Sequence, residues 1–346
     1  MRRRCVVVLA VCAAVTMLLA LMVGPVSAAD KTFKWRMQTY ASSGTPGFQS
    51  QKIALEHLKK ATNGRLDVTL FGVGTLVGLS EMLEAIGKRN FEVGHNVDAF
   101  FAGKDPGFAP IFSAIGLWTD PREVRVWIEA FGGKELMKKA YAKYNVHYAG
   151  STLIGAEPIM SKKPLKTLED FKGLKIRTPS GLTAMLFEKL GAVPVALAGS
   201  EIYSALDTNV IDAAEFTTLG ENVQMGLHEV TKYVLYPSFH GPIAVVNIGV
   251  NMDAWKSLPP DLQVAFEMMV KEADYLYDIL SAASDYKALA EIKKKGLQVD
   301  NLSPQDMEKA KLLSMEVALE FAKKSELSKE VIDSILNFLR VGDKIK

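Results

Sequence analysis

Cysteine is almost absent from this chain. Its 346 residues contain only Cys5 and Cys12, and both lie within the first thirty residues. If that segment is removed on export, as argued below, the remaining chain has no disulfide, no thiolate nucleophile and no cysteine-ligated metal. A chain of this length can still bury a sizeable core without covalent cross-links.

Common signatures of catalysis are also missing. The segment FGVGTLVG (71–78) reads G-x-G-x-x-x-G, which misses the dinucleotide-binding spacing and lacks the P-loop lysine, so a tight turn is the better interpretation. No G-x-S-x-G serine elbow is present, and the five histidines show no helical pairing that would bind zinc. Enzyme activity is therefore disfavoured. The alternative that stays open is a periplasmic hydrolase using Glu215 and His240.

Long apolar runs and an excess of one charge are absent beyond residue 30. Residues 2–4 are arginines, residues 6–23 are apolar, and small residues follow, with cleavage sites after Ala28 or Ala29. This order predicts a secretory signal peptide over residues 1–29, with a permanent membrane anchor as the alternative. Without that segment 38 basic residues face 39 acidic ones, so no nucleic-acid surface is expected. We expect a protein of the Gram-negative periplasm.

Strands and helices alternate along the rest of the chain, which predicts an α/β fold. The predicted strands cover residues 32–39, 66–71, 91–96, 148–153, 157–161, 174–177 and 243–251. The predicted helices cover residues 48–61, 80–86, two stretches within 121–144, 180–191, 200–206, 260–295 and a last stretch from 304. The length suggests two lobes.

Extended crossings near residues 150 and 245 would form a hinge between these lobes. The helix over 260–295 is expected to span both lobes. The assignment is residues 30–150 with 245–280 to lobe I, and residues 151–244 with 300–346 to lobe II.

A single arginine carries the main functional prediction. Arg177 ends the predicted strand in GLKIRTP (173–179). A buried guanidinium without an anionic partner costs several kcal/mol, and the sequence shows no obvious protein partner. A ligand carboxylate held by two parallel hydrogen bonds is the natural candidate. The pattern therefore predicts capture of a small acid rather than catalysis.

Glu215, in the segment NVIDAAEF (209–216), creates an electrostatic conflict with this hypothesis. Beside an arginine-bound anion it would repel the ligand, unless it were protonated or shared a cation with it. A bridging metal ion would resolve the conflict, since hard cations take carboxylate and carbonyl oxygens. Asp212, three residues earlier, is predicted instead to cap local backbone amides.

Six segments together resemble the extracytoplasmic solute receptors of tripartite ATP-independent periplasmic (TRAP) transporters. They are FKWRMQTY (33–40), LFGVGTLVG (70–78), AFFAGKDPGFAP (99–110), GLKIRTPSG (173–181), LGAVPVALAGSEIYSALDTNVIDAAEF (190–216) and KYVLYP (232–237). The resemblance implies a two-lobed periplasmic binding protein fold with hinge strands and a lobe-spanning helix. It also implies that Arg177 binds the ligand carboxylate and that the closed receptor delivers its ligand to a TRAP permease. A receptor for an ATP-driven importer shares the two-lobe plan but usually lacks the long helix.

Phe216 indicates which branch of this family the chain resembles. Many dicarboxylate and sialic-acid receptors carry Asn at this point, whereas an aromatic residue resembles the branch that binds 2-oxo acids through a cation. In that branch the Glu side chain and the aromatic residue's carbonyl bind the ion, which Glu215 and Phe216 match, with Na⁺ or Ca²⁺ as the cation. The branch's glutamine ligand is not matched, because Gly155 stands there with Glu157 two residues on. Cation binding therefore stays open.

Further ligand contacts are expected where strands end at the cleft. The candidates are Gln38, Tyr40, Phe100, Thr152, Glu157, Phe216 and His240, each with a purely structural role as the alternative. One clear cation among aromatic residues favours a monocarboxylate, such as a 2-oxo or aromatic acid, over a dicarboxylate. We expect hinge closure to complete the site. A homodimer through the C-terminal helices is compatible with the sequence, which does not decide it.

Overall fold

The computed structural model describes residues 31–241 and 243–345. The predicted signal peptide lies outside these residues. Across the described part of the chain, none of the helices combines the length and the apolar character needed to cross a membrane.

The predicted strands and helices occur in the predicted order, and the structure adds short strands at 193–195, 233–235 and 298–300 that were not predicted. The strands are β1 (Phe33–Thr39), β2 (Leu66–Phe71), β3 (Val93–Asn96), β4 (Val146–Ile154), β5 (Ile159–Ser161), β6 (Lys175–Arg177), β7 (Val193–Val195), β8 (Ala213–Glu215), β9 (Tyr233–Leu235), β10 (Ala244–Asn251) and β11 (Gln298–Asp300). The helices are α1 (Pro46–Ala61), α2 (Met82–Gly87), α3 (Phe108–Phe112), α4 (Pro121–Ala130), α5 (Gly133–Ala142), α6 (Leu182–Lys189), α7 (Ile202–Asp207), α8 (Leu219–Gln224), α9 (Met252–Ser257), α10 (Pro260–Lys294), α11 (Pro304–Phe321) and α12 (Glu326–Val341).

The strands form two sheets, one in each lobe. The lobe I sheet has the order β2-β1-β3-β10-β4, and the lobe II sheet has the order β11-β9-β5-β8-β6-β7. Strands β4 and β10 run antiparallel and pair along their length, from Val146 with Asn251 to Ile154 with Ala244. Both continue from there into the second lobe, so they are the hinge strands predicted near residues 150 and 245. The two-lobed α/β fold is confirmed.

Helix α10 joins the two lobes. Pro260 stands in its first turn, where the missing amide hydrogen costs nothing, and Lys293 and Lys294 lie in its last turn, where they complement the helix dipole. Its first half buries Phe266 in the core of lobe I, and its second half buries Ile292 in the core of lobe II. The structure thus contains the predicted lobe-spanning helix.

The C-terminal segment divides between the lobes, which corrects its assignment to lobe II. Helix α11 packs on α6 of lobe II, whereas α12 packs on α3 and α5 of lobe I. Ser334 on α12 accepts a hydrogen bond from the Trp127 indole at 3.0 Å, and Glu330 pairs with Lys139 at 2.6 Å. The amphipathic face of α12 finds its apolar partner in the lobe I core, which local periodicity alone does not reveal.

A buried acid links the hinge strands to lobe I. Asp98 accepts hydrogen bonds from the Tyr141 hydroxyl at 2.6 Å and from the Asn247 amide on β10 at 2.7 Å. Asn247 in turn accepts a hydrogen bond from Ser151 on β4 at 2.7 Å. Burial raises the pKa of Asp98 to about 7, although both hydrogen bonds oppose the rise. The ionised form of Asp98 is therefore disfavoured in the folded state.

Stability is expected to depend on the pH through Asp98. Its folded-state pKa of about 7 lies above the ordinary 3.8, so its contribution is fully present below about pH 4 and is lost as the pH rises through 7. A shift of this size corresponds to about 4 kcal/mol. Relative to Asp98→Asn, the wild-type free energy of unfolding should fall between pH 4.5 and pH 8 in guanidinium titrations. Asp278→Asn, on an exposed carboxylate, should follow the wild type; identical pH profiles for all three proteins would contradict this role.

Candidate functional site

Arg177 and Glu215 lie side by side at the edge of the lobe II sheet. Strands β6 and β8 are parallel neighbours, with Arg177 in register with Ala214, so both strands end at the same edge. Arg177 Nη1 donates to the backbone carbonyl of Glu215 at 2.7 Å, and its Nε donates to the carbonyl of Leu197 at 3.1 Å. The guanidinium also lies over the Phe216 ring, 4.9 Å from its centroid. The guanidinium is thus oriented by the hydrogen bonds that it donates to two segments.

The expectation that the protein offers Arg177 no anionic partner is wrong. Glu215 Oε1 lies 3.7 Å from Arg177 Nη1, because adjacent parallel strands place their terminal side chains together. This separation is longer than a hydrogen bond. Among the described residues Glu215 Oε1 is buried without a hydrogen-bond partner. The two opposite charges are therefore close together, but Glu215 Oε1 can still accept a hydrogen bond or ligate a cation.

Glu157 and His240 complete a three-residue cluster with Glu215. His240 Nε2 lies 3.5 Å from Glu215 Oε2 and 3.8 Å from Glu157 Oε2, while its Nδ1 lies 2.6 Å from Ser238 Oγ. The amide of Glu157 donates to the Gly241 carbonyl at 2.9 Å, which fastens the two segments to each other. One potential metal-ligating atom from each of the three side chains lies within 4.8 Å of the others.

The pKa values of the three side chains in this cluster are shifted in different directions. Burial lowers the pKa of His240, but hydrogen bonding and attraction to the two carboxylates outweigh burial and raise that pKa to about 9. Burial raises the pKa of Glu157, and the charge of Glu215 adds to the effect. Burial also acts to raise the pKa of Glu215, but His240 and Arg177 outweigh burial and lower it. At neutral pH Glu215 is thus an anion facing two cations, and Glu157 is the carboxyl most easily protonated.

This donor set fits a hard cation. His240 Nε2 and Glu215 Oε1 are buried without hydrogen-bond partners among the described residues, and two carboxylates converge on the same point. The Phe216 carbonyl accepts from the Asn222 amide at 3.3 Å, which leaves it a second lone pair. Oxygen ligands of this kind suit Na⁺ or Ca²⁺.

Gln38 and Thr152 make hydrogen bonds within the protein. Gln38 Oε1 accepts from the amides of Leu76 and Val77 at 2.6 and 3.1 Å, and its Nε2 donates to the Val77 carbonyl at 2.9 Å. The side chain therefore holds the glycine-rich turn. The hydroxyl of Thr152 is buried 2.8 Å from His95 Nε2. A ligand contact by either residue stays a prediction.

Tyr40 and Phe100 lie on lobe I in different surroundings. The Tyr40 hydroxyl donates to that of Tyr277 on α10 at 3.1 Å, and the Tyr40 ring packs edge-on against His95 with centroids 5.0 Å apart. Phe100 lies in a turn after β3 and is half-exposed. Tyr40 is thus anchored at the hinge, whereas the Phe100 ring faces solvent.

Two further residues bear on the predicted site. Asp212 accepts from the Lys175 amide at 3.0 Å, and this partner lies 37 residues away on the neighbouring strand β6, so the predicted capping of local amides is wrong. Glu221, in the first turn of α8, was not singled out from the sequence. It accepts from the Thr217 hydroxyl at 3.0 Å, and burial raises its pKa to about 7. The sequence did not mark Glu221 as a site residue, because acidic residues are common in the first turn of a helix.

Comparisons with known proteins agree with this geometry. Residues 37–325 match the family described as bacterial extracellular solute-binding protein, family 7. The chain is 31% identical over 307 residues to a monocarboxylate 2-oxoacid-binding periplasmic protein of Nostoc sp., covering 87% of this chain and 82% of that protein.

Solved structures agree as well. A TRAP periplasmic solute-binding protein of Rhodobacter sphaeroides, in an apo open form, has 32% identity and a TM-score of 0.77, covering 90% of this chain and 99% of that one. A TRAP periplasmic solute-binding protein of Colwellia psychrerythraea, with bound calcium and pyruvate, has 27% identity and a TM-score of 0.79, covering 89% of this chain and 94% of that one.

Proposed function

Because this chain belongs to the family 7 bacterial extracellular solute-binding proteins, periplasmic receptors of TRAP transporters that bind small organic acids, we propose that its ligand is a 2-oxo monocarboxylate. The observation that supports this proposal is the arrangement around Arg177. Its Nη1 and Nε are held by two backbone carbonyls, which orients the planar fork for a carboxylate. The aromatic ring of Phe216 covers one face of the guanidinium.

A single carboxylate is the best match to the charges of the site. The cationic groups of the described cluster are Arg177 and His240, and they already face Glu215 and Glu157. A second ligand carboxylate would meet those anions without a further positive partner, which is costly in a buried site. We therefore propose a ligand with one carboxylate, with a 2-oxo oxygen directed toward Glu215.

A cation bridging this oxo group and Glu215 would remove the remaining repulsion. Glu215, Glu157 and the Phe216 carbonyl would hold it, while His240, whose raised pKa keeps it protonated at neutral pH, would be a neighbouring charge and not a ligand. Calcium accompanies pyruvate in the Colwellia protein, and the converging oxygens here suit the same chemistry. When bound, the ion would supply positive charge at the ligand's oxo oxygen.

Affinity requires contacts from both lobes. Micromolar binding needs about 8 kcal/mol, whereas one charge-assisted hydrogen bond contributes roughly 1.5–3 kcal/mol. We propose that closure about β4 and β10 adds lobe I contacts near Tyr40, so the ligand stabilises the closed state. The closed receptor would then dock on its permease.

Thermal shift measurements test the ligand class. At a hundredfold excess over its Kd, a ligand stabilises by about 2.7 kcal/mol, which corresponds to a rise in Tm of about 5 °C. Pyruvate and 2-oxobutyrate should give this rise, while succinate and malate should give much less. Propionate, which keeps the carboxylate but lacks the oxo group, is the matched control and should bind weakly. Equal shifts with succinate and pyruvate would contradict the proposal.

The hydrolase alternative is disfavoured by the same cluster. Ser238, His240 and Glu215 are close together, as a serine hydrolase would require. A general base must be neutral to accept a proton, and the raised pKa of His240 keeps its imidazole protonated at neutral pH. Absence of ester hydrolysis by a protein that binds 2-oxo acids would agree with a receptor.

A further inference from the structure

The inner face of helix α10 becomes polar where the helix crosses from one lobe to the other. Ala273 is the last buried residue of α10 in the lobe I core, and Ala288 is the first in the lobe II core. Between them the inner face carries Tyr277, Ser281 and Asp285, which we call the polar row. Their spacing of four residues keeps successive members within about 40° of each other around the helix. The inner face of a helix is normally apolar, so this row requires an explanation.

Side chains from both lobes meet at the polar row. From lobe I, the Tyr40 hydroxyl donates to the Tyr277 hydroxyl at 3.1 Å. From lobe II, the Tyr236 hydroxyl donates to Asp285 at 3.2 Å, and the amide of Gly220 donates to the same carboxyl group at 2.7 Å. The polar row therefore lies at the base of the cleft, where the two lobes join.

Glu221 connects the polar row to the candidate ligand site. Burial raises the pKa values of Tyr40 and Tyr277, and the charge of Glu221 adds to both increases, so Glu221 lies close to this pair. Burial also raises the pKa of Glu221, and the charges of Asp285 and Glu157 add to that increase. Tyr40 and Glu221 are nevertheless only half-buried as whole residues. Both therefore line the cleft, between the polar row and the cluster that contains Glu157.

Two buried hydroxyl groups at the polar row make no hydrogen bond with the described part of the protein. They belong to Ser281, which is 5% exposed, and to Thr218, which is fully buried. Ser281 stands one turn from Tyr277 and one turn from Asp285. Burial raises the pKa of Asp285, and the Thr218 hydroxyl is among the nearby groups that oppose this rise. Because buried hydroxyls normally have partners, these two indicate that a ligand group completes the row.

We propose that the polar row, with Thr218 and Glu221, is a subsite for a hydroxyl group on the carbon chain of the ligand, so that the receptor prefers 2-oxo acids hydroxylated beyond the oxo carbon. This inference rests on the proposed function, which places the ligand carboxylate at Arg177. A hydroxyl group both donates and accepts hydrogen bonds, as the hydroxyl and carboxyl groups of the subsite require, whereas an ammonium group only donates. An aliphatic chain in the same place would leave buried polar groups unpaired, which is unfavourable.

Isothermal titration with two matched pairs of acids tests this preference. The pairs are 3-hydroxypyruvate with pyruvate, and 4-hydroxy-2-oxobutyrate with 2-oxobutyrate. At least one hydroxylated acid should bind about tenfold more tightly than its counterpart, since one hydrogen bond can contribute about this factor. If the unsubstituted acids bind and neither hydroxyl group improves the Kd, the subsite is refuted and the proposed function stands. If none of the four acids binds, the proposed function fails, and the subsite fails with it.

Removal of single hydroxyl groups locates the subsite. Ser281→Ala and Tyr40→Phe should each reduce the preference for the hydroxylated acid, measured as the ratio of the two Kd values, to about threefold or less. The ratio separates this role from general damage, which would weaken both acids equally. Ser281→Ala removes no hydrogen bond among the described residues, so the variant should fold normally. Tyr275→Phe is the matched control, because Tyr275 is 65% exposed on the outer face of α10, about 160° around the helix from Tyr277. An undiminished ratio in both Ser281→Ala and Tyr40→Phe would overturn the proposal.

Discussion

Arg177→Ala is expected to abolish carboxylate binding, with the Kd rising by about a hundredfold or more. Loss of one partner of a buried charge pair costs about 2–5 kcal/mol, and the ligand would then meet Glu215 without the facing guanidinium. Arg177→Lys should also bind poorly, since an ammonium cannot reproduce the fork held by Leu197 and Glu215. Isothermal titration with pyruvate measures both effects.

A matched control separates this effect from general charge loss. Arg122→Ala removes an exposed arginine from α4 and should leave the affinity unchanged. Circular dichroism must show that Arg177→Ala is folded, because the substitution leaves Glu215 buried beside one fewer cation. Unchanged affinity in a folded Arg177→Ala protein would remove the basis of the proposed ligand site.

Glu215→Gln is expected to weaken binding by about 10- to 100-fold and to remove its dependence on calcium or sodium. The sign of this effect is informative. If no cation bridged Glu215 and the ligand, neutralising a carboxylate beside a bound anion would relieve repulsion and tighten binding. If a cation bridges Glu215 and the ligand, the variant loses one ligand of that ion. The ligand affinity of the wild type alone should then fall on chelation or on replacement of sodium by choline.

Glu221→Gln is the control for this experiment. It also removes a buried carboxyl group near the hinge, but Glu221 lies outside the cluster of Glu157, Glu215 and His240. It should retain the cation dependence of the wild type. Tighter binding by Glu215→Gln, or wild-type binding that is indifferent to both ions, would exclude the bridging role.

Part of the site could be predicted because it depends on local order along the chain. Arg177 and Glu215 each end a short strand, and parallel neighbours present their carboxyl ends at one edge. The expected absence of an anionic partner for Arg177 failed for the same reason, since that edge also carries Glu215.

Other roles depended on partners that the sequence does not reveal. Gln38 and Thr152 stand near strand ends as ligand-binding residues would, yet their polar atoms are used by the glycine-rich turn and by His95. A buried polar side chain is satisfied by whichever donor or acceptor the fold brings near. For Thr152 that partner lies 57 residues away.

The sequence by itself determined the order of strands and helices, the hinge crossings, the long helix and the family of this receptor, because hydrophobic periodicity, caps and motifs are local properties of the chain. Only the tertiary structure decided that His240 joins Glu157 and Glu215, that α12 packs on lobe I, and that one face of α10 stays exposed. These features depend on contacts between distant segments, and a pattern with a period of two or 3.6 residues carries no information about them.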